Sequence, residues 1–250
     1  MNPYADVVEE TKRIIEQASQ RGMTIRLLGG LAVKFHCPSA EHRALERHYP
    51  DIDFMITRVY SKEIPKLMAY LGYEPNEKFN ILNGEFRMLF YDQTNNRQID
   101  IFMQDFHMCH TIPISRRLKV EEITVPLAEL LLTKLQIVQL NEKDLLDIMA
   151  LLLDHPLGEG DAETINSKVI TDLTSQDWGL YKTVCLSLQK TIDFVDTRDM
   201  KGEEKKIIRS RAQELQRAIE QAPKSVKWKL RAAIGEKIQW YDLPEEVARG

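Results

Sequence analysis

The sequence predicts an α+β fold: a mixed β-sheet core with flanking helices over residues 1–122, then an all-helical domain over residues 123–250. Three observations predict it. Short apolar runs at 24–28, 51–57 and 98–103 have strand character and are bounded by turn residues. Helical spacing falls between them without regular alternation, which argues against an all-parallel sheet. Beyond Pro126 the strand signals stop and apolar residues recur at helix spacing.

Taken in order, residues 5–20 carry Val7, Val8, Ile14, Ile15 and Ala18 on one helical face. Thr24-Ile25-Arg26-Leu27-Leu28 is a strand stopped by Gly29-Gly30, and Leu31 to Phe35 begins a helix. Pro38 to Pro50 is polar and reads as a loop or short helix. Asp51 to Thr57 is a strand. Ser61 to Leu71 reads as a helix with Ser61 as N-cap and Gly72 as its stop. Phe79 to Leu82 and Glu85 to Tyr91, joined by Asn83-Gly84, predict a hairpin. A second turn at Thr94-Asn95-Asn96 leads into Gln98 to Met103. In the second half, helices are predicted over 127–140, 142–153 (N-cap Asn141), 161–173, 180–195, 203–222 and 224–234, with a link near 120–126.

With 43% hydrophobic and 29% charged residues, the 250-residue chain has the composition of an ordinary soluble globular protein. Its net charge of −4 is mild, but residues 201–231 hold ten Lys/Arg against four Asp/Glu. The remainder is correspondingly acidic. The three cysteines, Cys37, Cys109 and Cys185, are widely spaced and form no disulfide framework, which fits a reducing cytoplasm. The pairs His36-Cys37 and Cys109-His110 lack zinc-ligand spacing, so the cysteines read as small buried residues. Residues 1–17 have no signal-peptide core, and the longest apolar run, near Leu130-Leu131-Leu132, is far too short to span a bilayer. No membrane partner is expected.

The chemistry concentrates in three aspartates. Asp51-Ile52-Asp53 and Ile99-Asp100-Ile101 set carboxylates into apolar strands, where charge is costly unless neutralised. Asp51 and Asp53 share one strand face, two residues apart. If the strand of Asp100 lies beside theirs, three hard oxygen donors converge, and a divalent cation such as Mg²⁺ resolves their repulsion. Gly29-Gly30, between a strand and a helix, lets backbone N–H groups approach a phosphate chain. This pattern points to metal-assisted phosphoryl chemistry.

The order Leu-Leu-Gly-Gly, Asp-Ile-Asp-Phe, Ile-Asp-Ile-Phe over residues 24–103 resembles the DNA polymerase β-like nucleotidyltransferase superfamily. Leu132-Thr133-Lys134-Leu135, followed by Lys143-Asp144-Leu145-Leu146-Asp147, is similar to the helical motif of AbiEii-like nucleotidyltransferases. The resemblance implies that Asp51 and Asp53 bind two Mg²⁺ (or Mn²⁺) ions and that Asp100 completes the catalytic metal site and assists deprotonation. It implies that Lys134 contacts nucleotide phosphates and that Asp144 is essential. Lys134 lies on an apolar helix face and needs an anion, which a triphosphate or Asp144 would supply. Two features depart from the family. Twenty residues, 31–50, separate the glycines from the Asp pair and carry His42, Arg43, Arg47 and His48, candidates for a lid or substrate contact. The serine that often touches the phosphates is also missing.

The expected function is nucleotidyl transfer from an NTP to a hydroxyl acceptor, either an RNA such as tRNA or a small molecule. Gly29, Gly30, Lys134 and Asp144 would hold the nucleotide. The alternatives are a non-catalytic nucleotide-binding protein or a toxin–antitoxin component with the same fold.

Overall fold

The computed structural model describes residues 2–42 and 44–243, so Arg43 of the polar insert lies outside the described residues. The chain forms two compact units. The first comprises Met1–Phe35, His48–Phe106 and Pro113–Pro126; the second comprises His36–Arg47, His107–Ile112 and Leu127–Gly250.

The first unit is a mixed sheet with helices. Helix α1 (Val7–Ser19) starts at Asp6, whose carboxylate accepts from the N–H groups of Val8 and Glu9 at 2.8 and 2.9 Å. That side chain satisfies two donors that the first turn would otherwise leave unpaired. Strand β1 (Ile25–Leu28) runs straight into helix α2 (Gly29–His36), then comes β2 (Ile52–Ile56). Helix α3 (Ile64–Leu71) starts later than the sequence predicts. A 3₁₀ turn over Arg58–Tyr60 uses up the Ser61 region, and Pro65 sits in the helix's first turn, where a missing N–H costs nothing. Gly72, at φ +92°, ends it in the left-handed conformation. Strand β3 (Glu74–Pro75) is short and exposed.

The expected 79–91 hairpin is corrected. Residues Glu77–Asn83 form helix α4, with Asn76 as N-cap accepting from the N–H of Phe79. A type I′ turn needs positive φ at its central residues, whereas Gly84 has φ −62° and closes the helix. Asn80 then clasps the next strand: its amide donates to Leu89 O and its carbonyl accepts from Leu89 N, at 3.0 and 2.7 Å. The real hairpin joins β4 (Arg87–Asp92) to β5 (Arg97–Met103) through the Asn95-Asn96 turn, where Asn96 adopts φ +50° and Asp92 accepts from Asn95 N.

The five strands run in the order β1-β2-β5-β4-β3. Only β2 and β5 pair in parallel; the other pairs are antiparallel. Ile52, Phe54, Ile56, Ile99 and Ile101 are fully buried. The β1 edge is covered by residues 123–125, with Leu27 N donating to Ile123 O and Val125 N to Leu27 O. At the other edge Pro75 offers no N–H to a further strand. Within α1, a buried ion pair joins Glu10 to Arg13, and Tyr73 donates its hydroxyl to the same carboxylate.

The second unit is helical: α5 (Leu127–Leu135), α6 (Glu142–Asp154), α7 (Ser167–Gln176), α8 (Trp178–Phe194), α9 (Gly202–Gln221) and α10 (Val226–Ile234). Two predicted spans shorten. Helix α5 stops at Leu135 rather than Leu140. Residues 161–166 are no helix; Ile165–Asn166 instead pairs with Leu157–Gly158. Ile208, Ala212, Leu215 and Ile219 of α9 alternate at spacings of four and three and are fully buried, which is what turns this charged segment into a packed helix. No described helix is long and apolar enough to cross a membrane.

Candidate functional site

The sheet registers bring two of the sequence-nominated aspartates together. Asp53 in β2 pairs with Asp100 in β5, and Leu28 at the end of β1 pairs with Asp53. Directly opposed residues in a sheet project to the same face. Leu28, Asp53, Asp100 and Leu89 therefore form one transverse row across four strands. Asp53 is half-buried, whereas Asp100 is 3% exposed. Asp51 lies just before β2, close enough for its charge to act on Asp100.

Gly29 closes this row from above. Its φ is +69°, and a Cβ there would stand 2.0 Å from Asp53 Oδ2 and 2.9 Å from its Cγ. Two separate constraints, backbone hand and space, thus restrict the position to glycine. Gly30 is the buried second residue of α2, and the first turn of that helix carries no acidic side chain.

Arg87 was not nominated by the sequence reading. Its residue-for-residue partner on β5 is Phe102, so Asp100 is its diagonal neighbour on the same face. Arg87 Nε donates to both carboxylate oxygens of Asp100, at 2.8 and 3.0 Å, and Nη2 adds a further short contact. The guanidinium also lies 4.8 Å from the Phe102 ring centroid. Burial pushes the Asp100 carboxyl above its usual range, Arg87 pulls it down and Asp51 pushes it up again; the net direction is upward. The only sequence signal for Arg87 was hairpin register, which became readable once β4 paired with β5 rather than with residues 79–82.

Lys134 and Asp144 belong to the second unit. Lys134 Nζ lies 2.9 Å from Asp147 Oδ2 and 3.4 Å from Asp144 Oδ1. Burial alone would lower the Lys134 ammonium, but the two carboxylates outweigh it and hold it above its ordinary value. Asp144 also closes a capping box with Asn141 at the start of α6. Arg47, from the polar insert, grips Asp147 with two hydrogen bonds of 2.8 Å each. Asp147 is therefore the shared acceptor of two cations. His110 is likewise engaged within this unit, through Thr183 Oγ1 at 2.8 Å and Gln136 Oε1.

The fit to a metal is partial. The donors are carboxylate oxygens, which suit Mg²⁺ or Mn²⁺. However, Arg87 engages Asp100, and among the described residues no three His, Cys, Asp or Glu side chains are grouped to hold an ion. No protein-family model and no curated protein sequence matches the chain.

Proposed function

We propose that the protein is a nucleotidyltransferase that moves a nucleoside monophosphate from an NTP to a hydroxyl of an RNA or a small molecule, releasing pyrophosphate. The observation that carries this reading is the Asp53–Asp100 register pair beneath the Gly29 turn. It sets acidic groups from two strands, and a glycine-only backbone approach, at one end of the parallel pair. By the family resemblance, Asp51, Asp53 and Asp100 would hold Mg²⁺ or Mn²⁺, Asp100 only once Arg87 releases it. Bound there, the ion would neutralise phosphate charge and ease deprotonation of the acceptor. The backbone of Gly29 and Gly30 would contact the triphosphate at the α2 N-terminus. The same resemblance gives Asp100 a part in deprotonating the attacking hydroxyl. Lys134 and Asp144 enter this reading through the family resemblance alone. Positioning and charge compensation would provide most of the rate.

One observation favours a second reading. A guanidinium already neutralises Asp100, as in a protein that binds NTP without transferring it. The test is incubation with labelled NTPs, Mg²⁺ and total RNA, comparing the native chain with Asp53→Asn. Label transfer that Asp53→Asn abolishes supports the transferase; transfer unaffected by that change refutes it. Calorimetric NTP binding with no pyrophosphate release across a broad acceptor screen selects the second reading.

A further inference from the structure

All three tryptophans of the chain, Trp178, Trp228 and Trp240, line one cavity of about 370 Å³ in the helical unit, together with Tyr241. This concentration lies outside every residue considered above. The cavity falls within the size range of small-ligand sites.

Its walls are fixed by contacts of their own. Trp178 and Trp240 meet edge to face with centroids 6.1 Å apart, and Trp240 meets Tyr241 at 5.3 Å. A Cβ on Gly179 would stand 2.4 Å from the carbonyl oxygen of Trp240, so residue 240 is seated directly on the start of α8. Arg231 straps the segment that follows α10: Nη1 donates to Gly235 O at 2.7 Å and Nη2 to Ile238 O at 2.8 Å. The same guanidinium lies 4.7 Å from the Trp178 ring centroid. Asp242 N donates to Cys109 O at 3.0 Å. The aromatic walls are thus held in place by the protein itself, which reduces the ordering cost of any ligand.

The wall chemistry narrows the occupant. Trp228, Trp240 and Tyr241 are half-buried and provide π-surface. The indole N–H of Trp228 is buried without an acceptor among the described residues, an arrangement that folded proteins seldom leave. Lys227 lines the cavity, is exposed and makes no ion pair among the described residues. Two acids also line the cavity: Asp177 accepts from Leu180 N as the α8 cap, and Asp242 stands 3.5 Å from His107. The site therefore offers flat aromatic surface and an exposed cation at the end of the basic segment 201–231. Planar rings on a phosphate chain match all of these.

We propose that this cavity is a base-stacking subsite for single-stranded nucleic acid, with a base against the tryptophan walls and a backbone phosphate on Lys227. It stands on the helical unit alone and holds whether or not the first unit transfers nucleotides.

The test is titration of the full chain with a fluorescein-labelled single-stranded oligonucleotide. Binding is read by anisotropy, and in parallel by quenching of intrinsic tryptophan emission with the unlabelled strand. Because every tryptophan lines the cavity, quenching reports on it directly. Saturable binding is expected, weakened about tenfold or more in Trp228→Ala, the effect of losing one stacked base. Lys227→Glu, which removes no contact within the described residues, is expected to weaken binding and lower the salt slope by about one counterion. It keeps the proposal testable if Trp228→Ala misfolds. Lys62→Glu, an exposed charge change in the first unit, is expected to bind as the native chain does, which separates this cavity from general surface charge. Absence of saturable binding, binding indifferent to both cavity variants, or a free mononucleotide binding as tightly as the strand would overturn the proposal.

Discussion

Replacing Gly29 by alanine tests the aspartate row at its tightest point. Two costs can be separated there. The first is backbone: an L-residue at φ +69° pays about 1–2 kcal/mol for the left-handed conformation. The second is space: the new Cβ would stand 2.0 Å from Asp53 Oδ2 and 3.2 Å from Asp53 Cβ, so the carboxylate must rotate away or the turn must open. Overpacking of this kind costs about 1–3 kcal/mol. Gly22 provides the internal control, because its φ is +70° and nothing lies within 4 Å of its would-be Cβ. Urea denaturation followed by far-UV circular dichroism should give Gly22→Ala a loss of about 1–2 kcal/mol and Gly29→Ala about 2–5 kcal/mol. The excess should shrink when Gly29→Ala is combined with Asp53→Ala, since the oxygen it strikes is then absent. Equal losses at the two glycines would refute the argument that the β1–α2 turn is built against Asp53.

The remaining predictions concern charge. Arg87→Ala strands the Asp100 carboxylate and should cost about 3–5 kcal/mol at pH 7. Because Asp100 holds its proton more tightly folded than unfolded, its contribution favours folding at low pH and is lost as pH rises above the ordinary carboxylate range; without Arg87 that decline should steepen in denaturation series from pH 3 to 8. His36 behaves oppositely. Burial, aided by the neighbouring His155, lowers its imidazole to about 4, so stability should fall by up to roughly 3 kcal/mol as pH drops from 6.5 towards 4. His36→Phe should remove that part of the slope. Asp147→Ala, which deprives both Lys134 and Arg47 of their acceptor, should destabilise by about 3–5 kcal/mol. Asp144→Ala should cost about 1 kcal/mol, the value of a cap, and thermal melts that rank the two equally would contradict the closer seat of Lys134 on Asp147.

What could be read from the chain depended on how local the signal was. Caps and stops lie within one turn of what they control. Asn141 and Gly72 were therefore legible, as was the mixed sheet, because its apolar runs are contiguous. Asn83-Gly84 misled because a dipeptide cannot declare its own φ; the side chain of Asn76 and the Asn80–Leu89 clasp decided for a helix. The sequence leaves the adjacency of the Asp53 and Asp100 strands as a condition, which the register meets, while Arg87 has no local signal because its link to Asp100 is a diagonal that exists only after strand register is fixed. Arg47 reads in the sequence as a lid or substrate contact, and its structural role as an ion-pair partner is not legible there for a related reason. Its partner, Asp147, is a hundred residues away in sequence, and nothing near Arg47 announces an acceptor. The three tryptophans lie in separate segments, and only the packing of the helical unit collects them.

The position of β5 has a consequence for how the chain acquires its structure. The last of the five strands to leave the ribosome is inserted between β2 and β4, not added at a border. Until residues 97–103 emerge, β2 has its antiparallel neighbour on one side and bare backbone groups on the other. A nascent chain halted before that point would expose an unmatched, strongly apolar ribbon, a natural target for chaperones or for self-association. Closure of the sheet therefore waits for this strand. The same step that quenches this stickiness also brings Asp100 beside Asp53, so incompletely synthesised chains are barred from presenting the acidic row at all.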